Sequence, residues 1–141
     1  MDTTGPLAHA RAEARLPAQD LDRARAWYAD KLGLHPTEER EGGLHYRCGD
    51  TVFGVFASAG RPSGEHTQFG FFVDDLEATV AELRRRGVEF EEYDFPGLRT
   101  VDGIAEIEGH YPSENARGEL AAWFHDCEGN VIGIGQPLPA G

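Results

Sequence analysis

The sequence predicts an α+β fold built from a duplicated βαβββ module, and three observations carry that expectation. Two stretches with apolar residues at helical spacing each open on an aspartate and close on a glycine. Short apolar runs bounded by Gly, Pro and Asp surround them and read as strands. The halves also repeat: a strand, Asp20-Leu21 and a helix ending at Gly33 correspond to a strand, Asp75-Leu76 and a helix ending at Gly87. At 141 residues the chain is long enough to bury one core without disulfides or metals. A single domain over 1–141 is expected, with module one at about 12–57 and module two at about 67–136.

Strand 12–18 comes first. Asp20 then caps a helix over 21–32 in which Leu21, Ala24, Trp27, Tyr28 and Leu32 follow helical spacing, so Trp27 and Tyr28 read as core residues. Strands follow at 44–48 and 51–57. Module two opens with strand 67–73, and Asp75 caps a helix with Leu76, Thr79, Val80 and Leu83 on one face. Its last turn, Arg84-Arg85-Arg86, complements the negative end of the helix dipole, and Gly87 stops it. Further strands are read at 88–92, 102–107, 120–125 and 130–135, with one strand assignment in each half left open. The halves end alike, Cys48-Gly49-Asp50-Thr51-Val52-Phe53-Gly54-Val55 matching Cys127-Glu128-Gly129-Asn130-Val131-Ile132-Gly133-Ile134. Module two is longer because Asp94 to Glu119, rich in Gly and Pro, includes an extended connection. His110-Tyr111 within it is either a lid over a pocket or plain surface.

Charge and composition exclude several functions. Thirteen Lys and Arg against 25 Asp and Glu leave a net charge of −12, which repels phosphate backbones and anionic membranes, so no nucleic-acid or membrane partner is expected. No apolar run approaches the roughly 18 residues of a membrane span. Met1 to Arg11 lacks the pattern of a secretion signal, and a cytoplasmic location is expected. Two cysteines without a CxxC motif argue against a disulfide framework or a thiolate zinc site. Cys48 and Cys127 hold equivalent places in the repeat, on separate corners, and neither has a basic activator beside it in sequence.

Asp20-Leu21-Asp22-Arg23-Ala24-Arg25-Ala26-Trp27-Tyr28 with Lys31-Leu32-Gly33-Leu34, Phe72-Val73-Asp74-Asp75-Leu76-Glu77-Ala78, and Trp123-Phe124-His125-Asp126-Cys127-Glu128-Gly129-Asn130 carry a family likeness. Through them the chain resembles the vicinal-oxygen-chelate superfamily of glyoxalases, extradiol dioxygenases, fosfomycin-resistance enzymes and bleomycin-resistance proteins. The likeness covers about residues 12 to 136, with Cys127 standing where a proline is usual. It implies two paired modules forming an eight-stranded cup with helices on the outer face, and a homodimer whose modules pair within or between chains. It also implies four metal-ligand positions on the floor of the cup, which fall here on Glu13, Gly54, Gln68 and Gly133. Two glycines and an amide are a poor donor set, since catalytic metals generally need three donors of the His, Asp, Glu or Cys type. No metal and no other cofactor is therefore expected.

Strand alternation tests whether these positions share a face. If they point inward, the opposite face carries Ala14, Leu16, Phe53, Val55, Phe69, Phe71, Ile132 and Ile134, apolar enough to pack against helices. Glycines 54, 70, 133 and 135 then either leave room for a bulky, partly flat ligand beside Phe56 and Phe72 or let neighbouring side chains fill the gap. Glu13 is the candidate general base or anchor for a cationic group, and Arg15 the anchor for an anionic one; a mutual ion pair is the plainer alternative. Gln68 both donates and accepts hydrogen bonds, and either orients a ligand carbonyl or amide or bonds Glu13 across the module junction. The candidate ligand-binding set is thus Glu13, Arg15, Gly54, Phe56, Gln68, Phe72 and Gly133. The expected function is binding or sequestration of a small organic, cationic or aromatic compound, with metal-free turnover through Glu13 left open. The alternative is a metal-dependent lyase, isomerase or dioxygenase drawing its donors from Glu13 and from histidines outside the family positions, His45, His66 and His125.

Overall fold

The structure, a computed structural model, describes residues 5–109 and 116–139. The elements of module one are β1 (Ala14–Ala18), α1 (Leu21–Trp27), β2 (Glu38–Arg40), β3 (Gly43–Cys48) and β4 (Thr51–Ala57). Module two comprises β5 (Thr67–Phe72), α2 (Leu76–Arg85), a hairpin of β6 (Asp94–Phe95) and β7 (Leu98–Arg99), then β8 (Ala105–Glu108), β9 (Ala116–His125) and β10 (Val131–Pro139). Both helices begin as read: the Asp20 carboxylate accepts from the Arg23 N–H at 3.0 Å and that of Asp75 from the Ala78 N–H at 3.1 Å. The first helix continues through a π-helical turn, Tyr28–Leu32, and Gly33 ends it at φ 67°. There the Leu34 N–H donates back to the Tyr28 carbonyl at 3.1 Å.

Each module makes one four-stranded sheet of the same topology, β1-β4-β3-β2 and β5-β10-β9-β8. First and last strands of each module pair in parallel, which requires a crossover, and the helix supplies it. The α+β class and the duplicated module are therefore present. The strand assignments are corrected in both halves: module one gains β2, and module two loses 88–92 and gains the short β6–β7 hairpin. β2 escapes the sequence pattern because Glu38-Glu39-Arg40 is a short, charged, exposed edge with no apolar alternation. The segment 88–92 forms no strand: β8 occupies that edge of β9 from Gly118 to Ala121, leaving room only for the Phe90–Phe124 bridge and a bond from Glu91 N–H to the Trp123 carbonyl at 2.8 Å. β9 and β10 run longer than expected, and the prolines of β10 lie beyond the reach of β5, whose pairing stops at Gly135.

The apolar faces of both sheets share one core with the helices. Leu16, Tyr46, Phe53 and Val55 of module one and Phe124, Ile132 and Ile134 of module two belong to a single buried cluster. Phe53 meets Phe69 at 4.7 Å between ring centroids, and Trp27 of α1 stacks on Phe124 of the other module at 6.3 Å. Among the described residues the two sheets share no strand pairing, so their remaining faces point away from this core.

A buried polar cluster fastens the modules together. The Tyr28 hydroxyl, at the end of α1, donates to the Asp126 carboxylate at 2.7 Å. Asn130 Nδ2 donates to the same carboxylate at 2.9 Å and to the Pro17 carbonyl at 3.1 Å, while the N–H groups of Glu128 and Asn130 fill the other Asp126 oxygen. Burial, reinforced by the Asp126 charge, pushes the Tyr28 phenol well above its ordinary value and keeps it a donor. Beside it, Glu128 accepts from the Gln19 N–H at 2.7 Å and from Arg23 at 2.6 Å. Cys48 and Cys127 are free thiols on their separate turns.

Two outcomes are expected from this cluster. Tyr28→Phe removes the donor from a buried carboxylate and should lower stability by about 1–3 kcal/mol in urea unfolding. Burial pushes the Glu128 carboxyl up, but the bonds from Gln19 and Arg23 outweigh it and hold the group below its ordinary value. Its contribution is full above an unfolded value of about 4.3 and is lost as pH falls through the lowered folded value. The stability gap between wild type and Glu128→Gln should be open at neutral pH and close in acid.

Candidate functional site

The candidate residues lie on the two sheet faces turned away from the core, in two unlike sets. On module one, strand register lines up Arg15, Gly54, His45 and Glu38 in one row and Pro17, Phe56, Gly43 and Arg40 in the next. Glu13 stands just ahead of β1 and its carboxylate is 3.9 Å from the Arg15 guanidinium, the mutual pair weighed as the plainer alternative. The Arg15 side chain is 64% exposed and that of Glu13 29%, so the pair is loose and both groups can still meet a ligand. Phe56 is 37% exposed. This face is polar and charged.

The face on module two is aromatic. Gly70, Gly133 and Trp123 form one row and Phe72, Gly135 and Ala121 the next. Phe72 is 62% exposed. Tyr93, carried in by the long connection, meets Trp123 edge to face at 5.5 Å and stacks on the exposed Phe95 at 5.7 Å. Burial, with the nearby Glu91 charge, raises the Tyr93 phenol and leaves it neutral. Gln68 sits where the β5–β10 register shifts, and its buried Oε1 has no hydrogen-bond partner. The sequence reading passed over Trp123 and Tyr93 as site residues. Alternation along β9 places Trp123 opposite Gly133, a signal that was present; Tyr93 had none.

The glycines resolve between the two readings. A methyl on Gly133 would stand 3.3 Å from the Trp123 indole, and one on Gly135 would overlap the Glu119 carboxylate, which is itself buried. Neighbouring side chains thus fill those two positions. On Gly54 or Gly70 a methyl would find only ordinary contacts at 3.7 Å.

The four positions do not fit a metal. Gly54 and Gly133 offer no side chain, and among the described residues no three His, Cys, Asp or Glu groups stand together as a ligand set. The histidines proposed as substitutes are dispersed. His125 is engaged at both ring nitrogens, 2.6 Å from Glu91 and 3.2 Å from the Gly64 carbonyl. His66 lies 3.2 Å from the Ser63 hydroxyl, on the surface. His45 alone shares the Gly54 row. His110 and Tyr111 lie outside the described residues. A cavity of about 710 Å³ opens elsewhere, on the core side between the modules, and of the seven candidate residues only Phe72 lines it.

Gly→Ala substitutions should separate these roles. Gly54→Ala is expected to leave stability within about 0.5 kcal/mol or raise it slightly by restricting the unfolded chain. Gly135→Ala should cost about 1–3 kcal/mol, because the buried Glu119 side chain has to move. Chemical denaturation of the two variants reads the contrast.

The repeated βαβββ sheets and the sequence motifs can be set beside known proteins. The profile of the Glyoxalase/Bleomycin resistance protein/Dioxygenase superfamily matches residues 7–96. No curated protein matches the chain. Among solved structures, a bleomycin-binding protein complexed with bleomycin is 21% identical, with 89% of this chain and 97% of that one covered and a TM-score of 0.63. A glyoxalase/bleomycin resistance protein/dioxygenase from Alicyclobacillus acidocaldarius is 15% identical, covering 92% of both chains at a TM-score of 0.66. A lactoylglutathione lyase from Agrobacterium tumefaciens is 20% identical, covering 91% of this chain and 93% of that one at 0.60. At these identities the structures establish the fold alone. The matched profile, spanning more than half the sequence, places this chain in the glyoxalase/bleomycin resistance protein/dioxygenase superfamily.

Proposed function

We propose that this protein binds and sequesters a small, planar, aromatic compound with a cationic group, in the manner of a resistance protein, using the outward faces of its sheets. The observation that carries the reading is at Gly133: where the resemblance puts a metal donor, an indole lies instead. Trp123, Tyr93 and the exposed Phe72 offer ring surface on which a flat molecule stacks, while on the other module Glu13, only loosely paired with Arg15, offers a carboxylate for its cation. The net charge of −12 steers such a ligand inward. A bleomycin-binding protein of similar fold, solved in complex with bleomycin, supports the reading.

The same reading calls for a homodimer with modules exchanged between chains. Within one chain the aromatic and the charged face lie on separate sheets turned from the shared core, and among the described residues β1 and β5 each pair on one side only. A second copy set face to face brings the charged face of one chain against the aromatic face of the other and completes two cups. Glu13 is the group placed to act as a general base if the bound compound is also transformed.

Bleomycin, titrated in the presence of a chelator and followed by tryptophan fluorescence, is the first probe. Saturable quenching is expected, absent in Trp123→Phe if Trp123 is the responding ring and weakened about two- to fivefold in Glu13→Gln, the worth of one exposed ion pair. The reading is overturned if neither bleomycin nor a panel of cationic aromatic compounds saturates, or if binding appears only on addition of a divalent metal.

A further inference from the structure

The duplicated modules create two equivalent junctions on the core side, and only one of them is filled. At the first, the β9–β10 turn meets the end of α1, where Tyr28, Asp126 and Asn130 close the gap. At the second, the β3–β4 turn approaches α2. Counting from the helix caps Asp20 and Asp75, the counterpart of Tyr28 is Leu83 and the counterpart of Phe69 is Ala14. The counterpart of Asn130 is Thr51, and the acidic residue of this turn, Asp50, is exposed. Leu83 and Thr51 are thus smaller and less polar than Tyr28 and Asn130, while the place of Asp126 is taken by the exposed Arg47. The space left is the cavity of about 710 Å³ lined by Ala14, Thr51, Thr79 and Leu83.

We propose that this second junction is a binding pocket for an uncharged, hydrophobic small molecule, bordered by Phe72 at its mouth and lying on the core side of the sheets. Its volume lies within the range of roughly 300–1,000 Å³ typical of ligand sites and far above the ~30 Å³ share of a single water. The hollow runs from the exposed Phe72 down to Phe53 and Phe124, which are 2% and 0% exposed. Although 27% of the chain is charged, no charged side chain lines it. Both hydroxyls on the wall already donate to backbone, Thr51 to the Cys48 carbonyl and Thr79 to the Asp75 carbonyl, each at 2.8 Å. The remaining polar group is the Cys48 thiol, which burial keeps protonated. An ion would enter without a partner and lose its hydration; a neutral ring system meets Phe53, Phe69 and Phe71.

The probe is N-phenyl-1-naphthylamine, an uncharged fluorophore that brightens in apolar surroundings, titrated into the full chain and into Ala14→Phe and Thr79→Leu. Both variants fill the hollow, the first by restoring the repeat, so unfolding temperature is expected to hold or rise. Wild type should bind one probe per chain saturably, and whichever variant keeps a cooperative unfolding transition should bind at least about tenfold more weakly. Absence of saturable binding to wild type overturns the proposal, as does unchanged binding in the folded variants. Binding that disappears as chain concentration rises through self-association also overturns it, and assigns the hollow to a second copy.

Discussion

The fold depends on one buried carboxylate. Asp126 accepts from Tyr28, Asn130 and two backbone N–H groups, and through them the last turn of module two is fastened to the first strand and helix of module one. A charge taken out of water is costly unless each lone pair is filled, so the cluster tolerates only the arrangement in which all these partners meet. That arrangement fixes which faces are hidden. With Tyr28 and Asp126 in contact, the apolar faces of both sheets must turn toward one another, and the faces bearing Glu13, Gly54, Phe72 and Gly133 must turn out.

Duplication supplies symmetry, and the two modules depart from it on both sides of their sheets. The core sides differ in filling: Tyr28 closes one junction, while its counterpart Leu83 lines the hollow at the other. The outward sides differ in character, a polar row through Arg15, Gly54 and His45 against an aromatic row through Gly133 and Trp123. Equivalent backbone positions thus present unlike surfaces. A module pair that closed both junctions and repeated one surface would be more regular, and it would lose the pocket and the contrast between the two faces.

Much of this was legible because local chemistry and global fold agree. Asp20 and Asp75 cap where expected, β4 spans the residues read as a strand, and alternation sorted apolar from outward residues along β1, β4, β5 and β10. Misreadings arose where an element takes its identity from a neighbour. Glu38-Glu39-Arg40 has no strand pattern of its own and pairs only because β3 offers an edge, whereas 88–92 has the pattern but finds most of its edge already taken by β8. The glycines were ambiguous for the same reason. Whether Gly133 opens a space or receives a ring is decided by Trp123 on the adjacent strand, and the contribution of Tyr93 rests on how a long connection folds back.

The loss of a donor at Gly133 and the presence of an aromatic face are one structural event rather than two. The indole of Trp123 packs close enough to this glycine that a methyl there would stand 3.3 Å from it. A carboxylate at the same position would have to displace the indole, break its edge contact with Tyr93 and uncover the hairpin that Tyr93 anchors. Restoring one ligand would thus dismantle the ring surface. It would still leave Gly54 without a donor and His125 committed to Glu91 and Gly64. A donor side chain at this position and the Trp123 indole compete for the same few ångströms above β10, and in this chain the indole, packed against Tyr93, occupies them.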